Sequence, residues 1–309
     1  MLILLWGIGS ESTLAAVLGE LDRLGATAIL IDQRDILDTE IELDISEHVG
    51  GWIRTRDRVI SLSEVTACYV RSYDWQDLPA IAAAGPDSPA WRHGAAVGDM
   101  LLCWSEITPA LVVNRPTAMA GNCSKPYQLA QIHAFGFRVP ETIVTTDADA
   151  ARAFWQSHGS VIYKSVSGVR SRVSRLSLEH LERLADIGWC PTQFQQYIAG
   201  TDYRVHVVGN EVFACEVQSS ADDYRYPGSQ SVELQACRVP CEVEERCRGL
   251  ASALQLDVAG IDLRRTPDGE WFCFEVNPSP AFLYYENETG LPIAAAIARM
   301  LAAGVQAKG

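Results

Sequence analysis

The segment from 258 to 277 constrains the fold of this chain more than any other part of it. It consists of two apolar stretches on either side of a Pro-Asp-Gly sequence, a composition typical of a tight turn between two strands. If the loop is symmetric about its Asp-Gly pair, Asp262 lies directly opposite Glu275, with the two Cβ atoms about 5 Å apart. Alternate side chains of a strand share a face, so Asn277 lies beside Glu275. The sequence therefore predicts a hairpin that presents three oxygen-bearing side chains on one face.

The opposite face of the predicted hairpin is apolar and is expected to face the core. Its members are Ile261, Leu263, Phe272, Phe274 and Val276. Two opposed carboxylates repel each other unless a positive charge lies between them, so the polar face needs a cation. A magnesium ion fits, because it prefers oxygen ligands and usually completes its shell with water and substrate phosphates. A solvated face on which Arg264 neutralises Glu275 fits as well, and the spacing alone leaves both interpretations open.

The rest of the chain divides into three parts by its pattern of strands and helices. Residues 1–115 alternate short apolar strands with amphipathic helices, which is typical of a doubly wound α/β lobe. Beyond Arg115 the elements change character, and strands predicted at 192–198, 203–208 and 211–217 have the spacing of successive hairpins. We therefore predict an α/β domain at 1–115, followed by α+β domains at 116–190 and 191–309.

The turn after the first predicted strand suggests a different function. Gly7 and Gly9 precede the first helix, and Asp32 follows the second predicted strand, which imitates a dinucleotide-binding fingerprint. Ser12 stands where that fingerprint has its third glycine, and a Gly-x-Gly pair at this point is more often only a tight turn. A nicotinamide-dependent oxidoreductase is therefore one alternative.

The net charge limits the partners of this chain. Its 25 Lys and Arg residues against 39 Asp and Glu residues give a formal net charge of −14, which repels nucleic acids and anionic membrane surfaces. The apolar run at residues 1–6 is too short for a signal peptide or a membrane span, so we expect a cytoplasmic protein. We expect neither nucleic acid nor a membrane as a partner.

The nine cysteines do not predict a disulfide framework, because their number is odd and most lie in apolar stretches. Cys237, Cys241 and Cys247 are spaced closely enough to suggest zinc, but no second Cys-x-x-Cys half and no nearby His completes such a site. The sequence leaves the role of these three cysteines open.

With Asp262 on one predicted strand and Glu275-x-Asn277 on the next, the sequence resembles the ATP-grasp superfamily. Within it, the chain is similar to the branch of the ribosomal-protein glutamate ligases and of the graspetide (microviridin-type) maturases, from about Asn114 to Ala303. The resemblance implies an ATP-grasp fold, in which a doubly wound pre-ATP-grasp lobe precedes two α+β lobes that clamp the nucleotide. It also implies ATP and Mg²⁺ as cofactors, with Mn²⁺ as an alternative ion, and Asp262, Glu275 and Asn277 as the metal ligands.

The resemblance assigns phosphate binding to two lysines. Lys125 stands at the start of a predicted helix, where the free amide groups and the helix dipole favour anions. Lys164 ends a predicted strand, and Ser165 opens the segment 165–171, which corresponds to the family's mobile phosphate-covering loop. Taken alone, Lys164 would be interpreted as a surface lysine, so its role depends on the resemblance.

The remaining site residues also come from the resemblance. The segment 194–198 is similar to the interlobe hinge strand whose backbone holds adenine, and Asp202 and Arg204 match an Asp-x-Arg motif. The nucleotide-binding residues implied in this region are Gln195, Gln196, Tyr197, Ile198 and Asp202. Arg204 and Arg225 are the expected catalytic residues, because a guanidinium aimed at the transferred phosphoryl group stabilises its charge. Each arginine alone would be interpreted as an ion-pair partner.

Together, the motifs imply an ATP-dependent carboxylate-amine ligase acting on an amino acid or a small peptide. A substrate carboxylate would attack the γ-phosphate of ATP, giving an acylphosphate and ADP, and an amine would then displace phosphate to form an amide. The loop after Asn277 would line the acceptor pocket, with Ser279 and Tyr285 as candidates there.

Two alternatives of function remain open beside the oxidoreductase. One is a graspetide-type maturase that makes intramolecular ester or amide cross-links in a ribosomal precursor peptide. The other is a nucleotide-binding regulator without catalysis. The sequence does not identify the carboxylate and amine substrates, and it does not decide between a monomer and a homo-oligomer.

Overall fold

The computed structural model describes residues 2–120, 125–166, 173–219 and 231–304. These residues form an α/β lobe followed by two α+β lobes, which confirms the predicted fold class. Within these ranges, no helix combines the length and the hydropathy that a membrane span requires.

The first lobe alternates strands and helices as predicted. Its elements are β1 (Leu2–Gly7), α1 (Ser12–Arg23), β2 (Ala28–Asp32), β3 (Glu40–Ile45), β4 (Val49–Arg54), β5 (Val59–Ser61), β6 (Val65–Arg71), α2 (Pro79–Ala84), α3 (Pro89–Ile107) and β7 (Leu111–Val113). A parallel sheet has the strand order β2-β1-β6-β7, and β3, β4 and β5 form a small antiparallel sheet. The carboxyl ends of β1 and β6 lie side by side where the strand order reverses, the point at which such sheets bind ligands.

Strand β1 is apolar on both faces because its sheet is covered on both sides. Ile3 and Leu5 belong to a core shared with α1, whereas Leu4 and Trp6 belong to a second core with α3 and the small sheet. Helix α1 begins at a cap formed by the Glu11 carboxylate, which accepts hydrogen bonds from the N–H groups of the first turn. The first lobe therefore has two apolar layers around one central sheet.

A linker and a second lobe follow. Their elements are α4 (Pro116–Ala120), α5 (Lys125–Ala134), β8 (Thr142–Thr145), α6 (Ala148–His158), β9 (Val161–Ser165), β10 (Ser174–Arg175), α7 (Leu178–Glu182) and β11 (Thr192–Gln196). The sheet of the second lobe has the order β10-β9-β11-β8. Phe154 of α6 and Phe194 of β11 are both buried in the core of this lobe.

Strand β11 departs from the prediction. The sequence pattern places it in the third domain, in a hairpin with the strand that follows. Instead it lies between β8 and β9 and forms antiparallel hydrogen bonds with both. The reason is that Phe194 completes the core of the second lobe, and turn residues do not reveal which sheet a strand joins. The boundary predicted after residue 190 therefore falls one strand too early.

The third lobe is built on an antiparallel sheet of the order β14-β13-β12-β15-β16. Its elements are β12 (Thr201–Val208), β13 (Glu211–Ser219), β14 (Val232–Cys237), α8 (Cys241–Ala253), β15 (Val258–Arg265), β16 (Trp271–Asn277), α9 (Leu283–Thr289) and α10 (Ile293–Ala303). The hairpin predicted between β12 and β13 is confirmed, and it turns at Gly209, whose φ is +55°. One face of the sheet packs against α5 and α8.

The passage from β11 to β12 requires a glycine. Gly200 has a φ of +156°, and a Cβ at this position would lie 2.2 Å from the carbonyl oxygen of Arg265. The chain therefore crosses from the second sheet to the third in contact with the backbone of β15.

Asn114 and Arg115 mark the end of the first lobe. The Arg115 guanidinium donates to four carbonyls at the C-terminal end of α3 and the turn after it, so it caps that helix. The buried Asn114 amide donates to the carbonyls of Val258 and Pro278 and accepts from the N–H groups of Asp257 and Val258. This one side chain thus joins the first lobe to the start of β15 and to the residue that follows β16.

Candidate active site

The β15–β16 hairpin carries the predicted metal ligands. Asp262 lies opposite Glu275 and Gly260 lies opposite Asn277, so the predicted pairing of the two carboxylates is confirmed. The assumption behind that prediction, a loop symmetric about the Asp-Gly pair, is wrong. Close to the turn the register differs by one residue, and a β-bulge at Phe274 restores the alignment before Glu275.

The bulge changes which side chains of β16 face the core. The prediction of core-facing residues is confirmed for Ile261, Leu263 and Val276. It is wrong for Phe272 and Phe274, which are only half-buried. Trp271 and Cys273 are buried instead. The bulge adds one residue to β16, so in the part of the strand between the turn and the bulge the side chains that face the core and those that face away exchange places.

Arg204 completes a row of three charged residues across the sheet. It lies opposite Asp262 on the neighbouring strand β12, and its Nη1 is 2.6 Å from Oδ1 of Asp262. Gly260 leaves the space for the guanidinium, because a Cβ there would lie 2.2 Å from Nη2 of Arg204. The side chain of Arg204 is 7% exposed, so solvent screens the ion pair little. The row holds one positive charge and two carboxylates, with Glu275 at its end.

Two aromatic side chains pack beside Arg204. Its Nε donates to Nε2 of His206 at 3.4 Å, and its guanidinium carbon lies 5.6 Å from the ring centre of Tyr285. His206 is completely buried, and burial together with the charge of Arg204 lowers the pKa of the imidazole well below its ordinary value. The imidazole is therefore neutral and accepts through Nε2. Tyr285, a predicted candidate for the acceptor pocket, is itself buried against His206.

Arg264 does not neutralise Glu275. It donates two hydrogen bonds of 2.7 Å to the carboxylate of Asp202 and one of 2.7 Å to the carbonyl of Ile198. In the described part of the chain, the half-buried Glu275 side chain has no hydrogen-bond or ion-pair partner. The solvated face neutralised by Arg264, which the spacing had left open, is therefore not what the structure shows.

The oxygen atoms at this end of the hairpin fit a magnesium ion bound together with phosphate. The charged row has one negative charge in excess, and Glu275 is the carboxylate that faces no guanidinium. Oδ1 of Asn277 accepts a hydrogen bond of 2.9 Å from the N–H of Ser279, which fixes the amide. No group of three or more Asp, Glu, His or Cys side chains among the described residues could hold a metal. An ion here would therefore depend on the amide, on water and on phosphate oxygens.

The two predicted phosphate-binding lysines lie on different lobes. Lys125 is the first residue of α5, which packs against β16 of the third lobe. Lys164 lies on β9 of the second lobe, is 8% exposed and pairs across the sheet with Gln193. A buried lysine needs an anionic or strongly polar neighbour, so Lys164 is not the surface lysine that its sequence position alone suggests.

Gln193 and Gln195 give the face of β11 beside Lys164 a polar character. Both side chains are 1% exposed, and the Oε1 atom of each has no hydrogen-bond partner in the described ranges. Buried amide oxygens without partners are costly, so this face fits a polar ligand. Gln195 belongs to the predicted site, whereas Gln193 was not predicted. The sequence does contain a sign of it, because Gln193 and Gln195 are two residues apart and so share a face of the strand. That face could be recognised as part of the site only once β9, with Lys164, was known to be the neighbour of β11.

Two backbone N–H groups of the predicted hinge segment 194–198 are already hydrogen-bonded within the protein. The N–H groups of Gln196 and Tyr197 donate to the carbonyls of Glu141 and Ser160, at 2.8 and 3.0 Å. The Tyr197 ring stacks against the guanidinium of Arg175, whose central carbon lies 3.8 Å from the ring centre. Adenine recognition by this backbone would therefore have to use other groups of the segment.

The structure brings most of the third-lobe candidates together on one sheet face. They are Asp202, Arg204, Asp262, Glu275 and Asn277. Ser165 is exposed at the end of β9. Residues 167–171 of the predicted phosphate-covering loop and the predicted catalytic Arg225 lie outside the described residues.

The Gly-x-Gly turn after β1 is occupied by the protein's own acids. The N–H of Gly9 donates to Oδ2 of Asp32 at 3.1 Å, and Arg34 forms an ion pair with the same carboxylate. The Glu11 carboxylate accepts from the N–H of Leu14 at 2.7 Å. The amide groups that a pyrophosphate would need are therefore taken, and the geometry does not support a nicotinamide cofactor.

The three clustered cysteines lie in different environments. Cys241 is exposed, Cys237 is half-buried, and Cys247 is fully buried in the core under α8. Burial raises the pKa of the Cys247 thiol to about 12, whereas zinc binds thiolates. Among the residues that the structure describes, nothing around these three cysteines favours a shared metal.

Comparison with known proteins gives this site a family context. A family model described as the RimK-like ATP-grasp domain matches residues 137–301. Beta-citrylglutamate synthase B from Danio rerio is 26% identical over 202 residues, which is 60% of this chain and 49% of the relative. The chain thus spans about half the length of the curated relatives that it matches.

Solved structures match along nearly the whole chain. The RiPP-associated ATP-grasp ligase of Chryseobacterium gregarium, in complex with ADP and a leader and core peptide, has a TM-score of 0.84 at 21% identity, covering 98% of this chain and 96% of that one. The ATP-grasp ligase PsnB, with a phosphomimetic variant of its minimal precursor, Mg and ADP, has a TM-score of 0.80 at 24% identity, covering 97% of each chain. The likeness shows a common fold that includes the first lobe.

Proposed function

The chain belongs to the RimK-like ATP-grasp family, and on this premise we propose that it is an ATP-dependent ligase that joins a carboxylate to an amine. The observation that carries the proposal is the row of Arg204, Asp262 and Glu275. In it a buried guanidinium faces two carboxylates, one of which lacks a counter-charge in the described part of the chain. Such a row needs a cation and, with the cation, an anionic ligand.

Three side chains would hold the metal ion, Mg²⁺ or Mn²⁺, and they are Asp262, Glu275 and Asn277. ATP, when bound with its metal, supplies the phosphoryl group that activates the substrate carboxylate as an acylphosphate. The proposed nucleotide-binding residues are Lys125, Lys164, Ser165, Gln195, Gln196, Tyr197, Ile198 and Asp202. Asp202 would act from a fixed position, because Arg264 holds both of its oxygens.

Arg204 and Arg225 are the proposed catalytic residues. Arg204 is buried, and a fixed guanidinium in a water-poor site stabilises developing charge more strongly than it would in water. Asp262 and His206 fix its direction, so little reorganisation is needed as phosphoryl charge develops. Exclusion of water would also protect the activated carboxylate from hydrolysis.

The proposed substrates are the carboxylate of an amino acid or small peptide and an amine that forms an amide with it. The relative named as beta-citrylglutamate synthase supports a ligase that acts on small molecules. The loop after Asn277 is the proposed acceptor region, and Arg71 of the first lobe donates to Ser279 and to the Pro280 carbonyl there. The first lobe would therefore help to shape the acceptor pocket.

A second candidate function is the cross-linking of a ribosomal precursor peptide through intramolecular esters or amides. The observation in its favour is that the two peptide-bound ligases match this chain over the first lobe as well, beyond the part that the family model matches. A panel of substrates that includes acidic peptides would separate the two candidates.

We also propose three domains, with the second boundary moved from residue 190 to the end of β11. A cytoplasmic location agrees with the use of ATP.

Whether the protein is a monomer or a homo-oligomer would be tested by sedimentation of the purified protein.

Glu275→Gln is expected to abolish ADP release and to leave the fold intact, because it removes one metal-binding charge from a half-buried position. The measurement is ADP formation from ATP and Mg²⁺ in the presence of amino acids, amines and acidic peptides. The matched control is Glu270→Gln in the same hairpin, where an exposed carboxylate pairs with Arg138. Wild-type rates in Glu275→Gln would contradict the proposal, and ATP binding without ADP release under every condition would favour the regulator.

A further inference from the structure

The outer edge of β16 is paired with the segment that follows the first lobe. In the part of the chain that the structure describes, β16 is the last strand of its sheet, so its outer backbone groups have no neighbouring strand of that sheet. The backbone of Arg138 covers the first half, donating to the Trp271 carbonyl and accepting from the N–H of Cys273. The side chain of Gln128 covers the second half, at Val276.

The Gln128 side chain reproduces both hydrogen bonds of a missing strand. Its Nε2 donates to the carbonyl of Val276 at 2.6 Å, and its Oε1 accepts from the N–H of Val276 at 3.0 Å. The side chain is buried, at 5% exposure. A buried backbone N–H or carbonyl without a partner is costly. The Gln128 amide is therefore held in the one orientation that satisfies both groups of Val276.

Val276 lies between Glu275 and Asn277, the two proposed metal ligands on this strand. Its pairing with Ile261 lies close to the bulge at Phe274, which shifts the register between Asp262 and Leu263. The hydrogen bonds on the outer edge therefore contribute directly to where Glu275 and Asn277 project.

Gln128 also belongs to the same helix as Lys125. Residues three apart on a helix lie on the same side of it, so Lys125 projects from α5 one turn before the amide that binds β16. One side chain thus connects the helix that begins with the proposed phosphate-binding lysine to the strand that carries two proposed metal ligands.

We propose that Gln128 is a positioning residue whose amide sets the spacing between Lys125 and the pair Glu275 and Asn277, and thereby the response of nucleotide binding to magnesium. The inference rests on the proposed function, since it concerns the same site. It explains why an amide, and not an apolar side chain, occupies a buried position of α5 beside Leu129 and Ile132.

The test uses Gln128→Met, which keeps the size and loses both hydrogen bonds, and Gln128→Glu, which keeps an acceptor and loses the donor. Gln131→Met, at a half-buried position of the same helix, is the matched control. Calorimetry measures the affinity of each protein for ADP with Mg²⁺ and with a chelator. Hydrogen exchange measures the protection of the Val276 amide.

In both Gln128 variants we expect the gain in ADP affinity that magnesium provides to fall by about tenfold, as for other groups that orient metal ligands. We expect faster exchange at Val276 in Gln128→Met, which loses the acceptor of that N–H, and little change in ADP affinity without metal in either variant. Gln131→Met should retain the wild-type values of all three.

A fall in thermal stability of both Gln128 variants with an unchanged magnesium gain would overturn the inference and leave Gln128 as a structural residue. A wild-type protein whose ADP affinity does not respond to magnesium would instead contradict the proposed function. If Gln128→Met does not fold, the magnesium gain measured on Gln128→Glu decides the question, because that variant still loses the hydrogen bond to the Val276 carbonyl.

Discussion

Gly260 shows how one residue without a side chain governs the site. The guanidinium of Arg204 occupies the volume of its missing side chain, because a Cβ would lie 2.2 Å from Nη2 and 2.7 Å from Cζ of Arg204. Pro280 closes the other side, at 2.7 Å from the same Cβ position. The guanidinium could therefore not give way without moving relative to Asp262.

Gly260→Ala is expected to displace Arg204 and to lower the rate of ADP release by about 100-fold, the effect of losing one donor that stabilises transition-state charge. It should also lower the free energy of unfolding by about 1–3 kcal/mol through overpacking. Enzyme assay and urea denaturation measure the two effects. Gly249→Ala is the control, because its added Cβ would lie 3.6 Å from Phe135, an ordinary contact. Unchanged turnover in Gly260→Ala would show that Arg204 is not required where the structure places it.

At the scale of residues, the sequence predicts pairs that are close along the chain and misses pairs that are distant. Asp262 and Glu275 could be aligned because a short turn joins their strands. The ion pair of Arg204 with Asp262 joins residues 58 positions apart, and the hydrogen bonds of Gln128 with Val276 join residues 148 apart. Such pairs depend on which strands and helices become neighbours, and no local pattern encodes that choice.

At the scale of elements, the connection from β11 to β12 decides how the second lobe meets the third. Gly200 and the residues after it were predicted to turn a hairpin, because glycine followed by polar residues is typical of turns. The prediction of a change in direction holds, but the chain changes sheets as well. The strands predicted at 203–208 and 211–217 agree closely with β12 and β13, since their apolar periodicity is local.

Gly200→Ala is expected to destabilise the protein by at least about 1–3 kcal/mol, because alanine rarely adopts a φ of +156° and its Cβ would meet the Arg265 carbonyl. The free energy of unfolding from urea denaturation measures the effect. Gly188→Ala serves as the comparison, since nothing lies within 4 Å of the Cβ it would add. Equal stability of the two variants would mean that the crossing is looser than the structure shows.

At the scale of the whole molecule, Asn114 joins lobes that are far apart in sequence. Its single amide satisfies backbone groups at the start of β15 and in the loop after β16. Asn114→Ala would leave buried groups unpaired, at about 1–3 kcal/mol for each.

We therefore expect Asn114→Ala to lower the free energy of unfolding by at least about 3 kcal/mol, the sum over several such groups. Calorimetry would report it as a fall in the unfolding temperature. Asn287→Ala, at an exposed position of α9, should change the unfolding temperature little. A similarly small change in Asn114→Ala would indicate that water replaces the amide without loss.

Helix α10 has a consequence for how the protein is made. It packs against α1 and completes the core to which Ile3 and Leu5 of the first strand belong. During synthesis on the ribosome, that face of the first sheet is covered only in part, by α1, until residues 293–303 have emerged. The first lobe is therefore translated before the second and third lobes but completes its core only after both of them. A nascent chain that stalls before α10 exposes the apolar residues that this helix covers to chaperones and to other nascent chains throughout the pause.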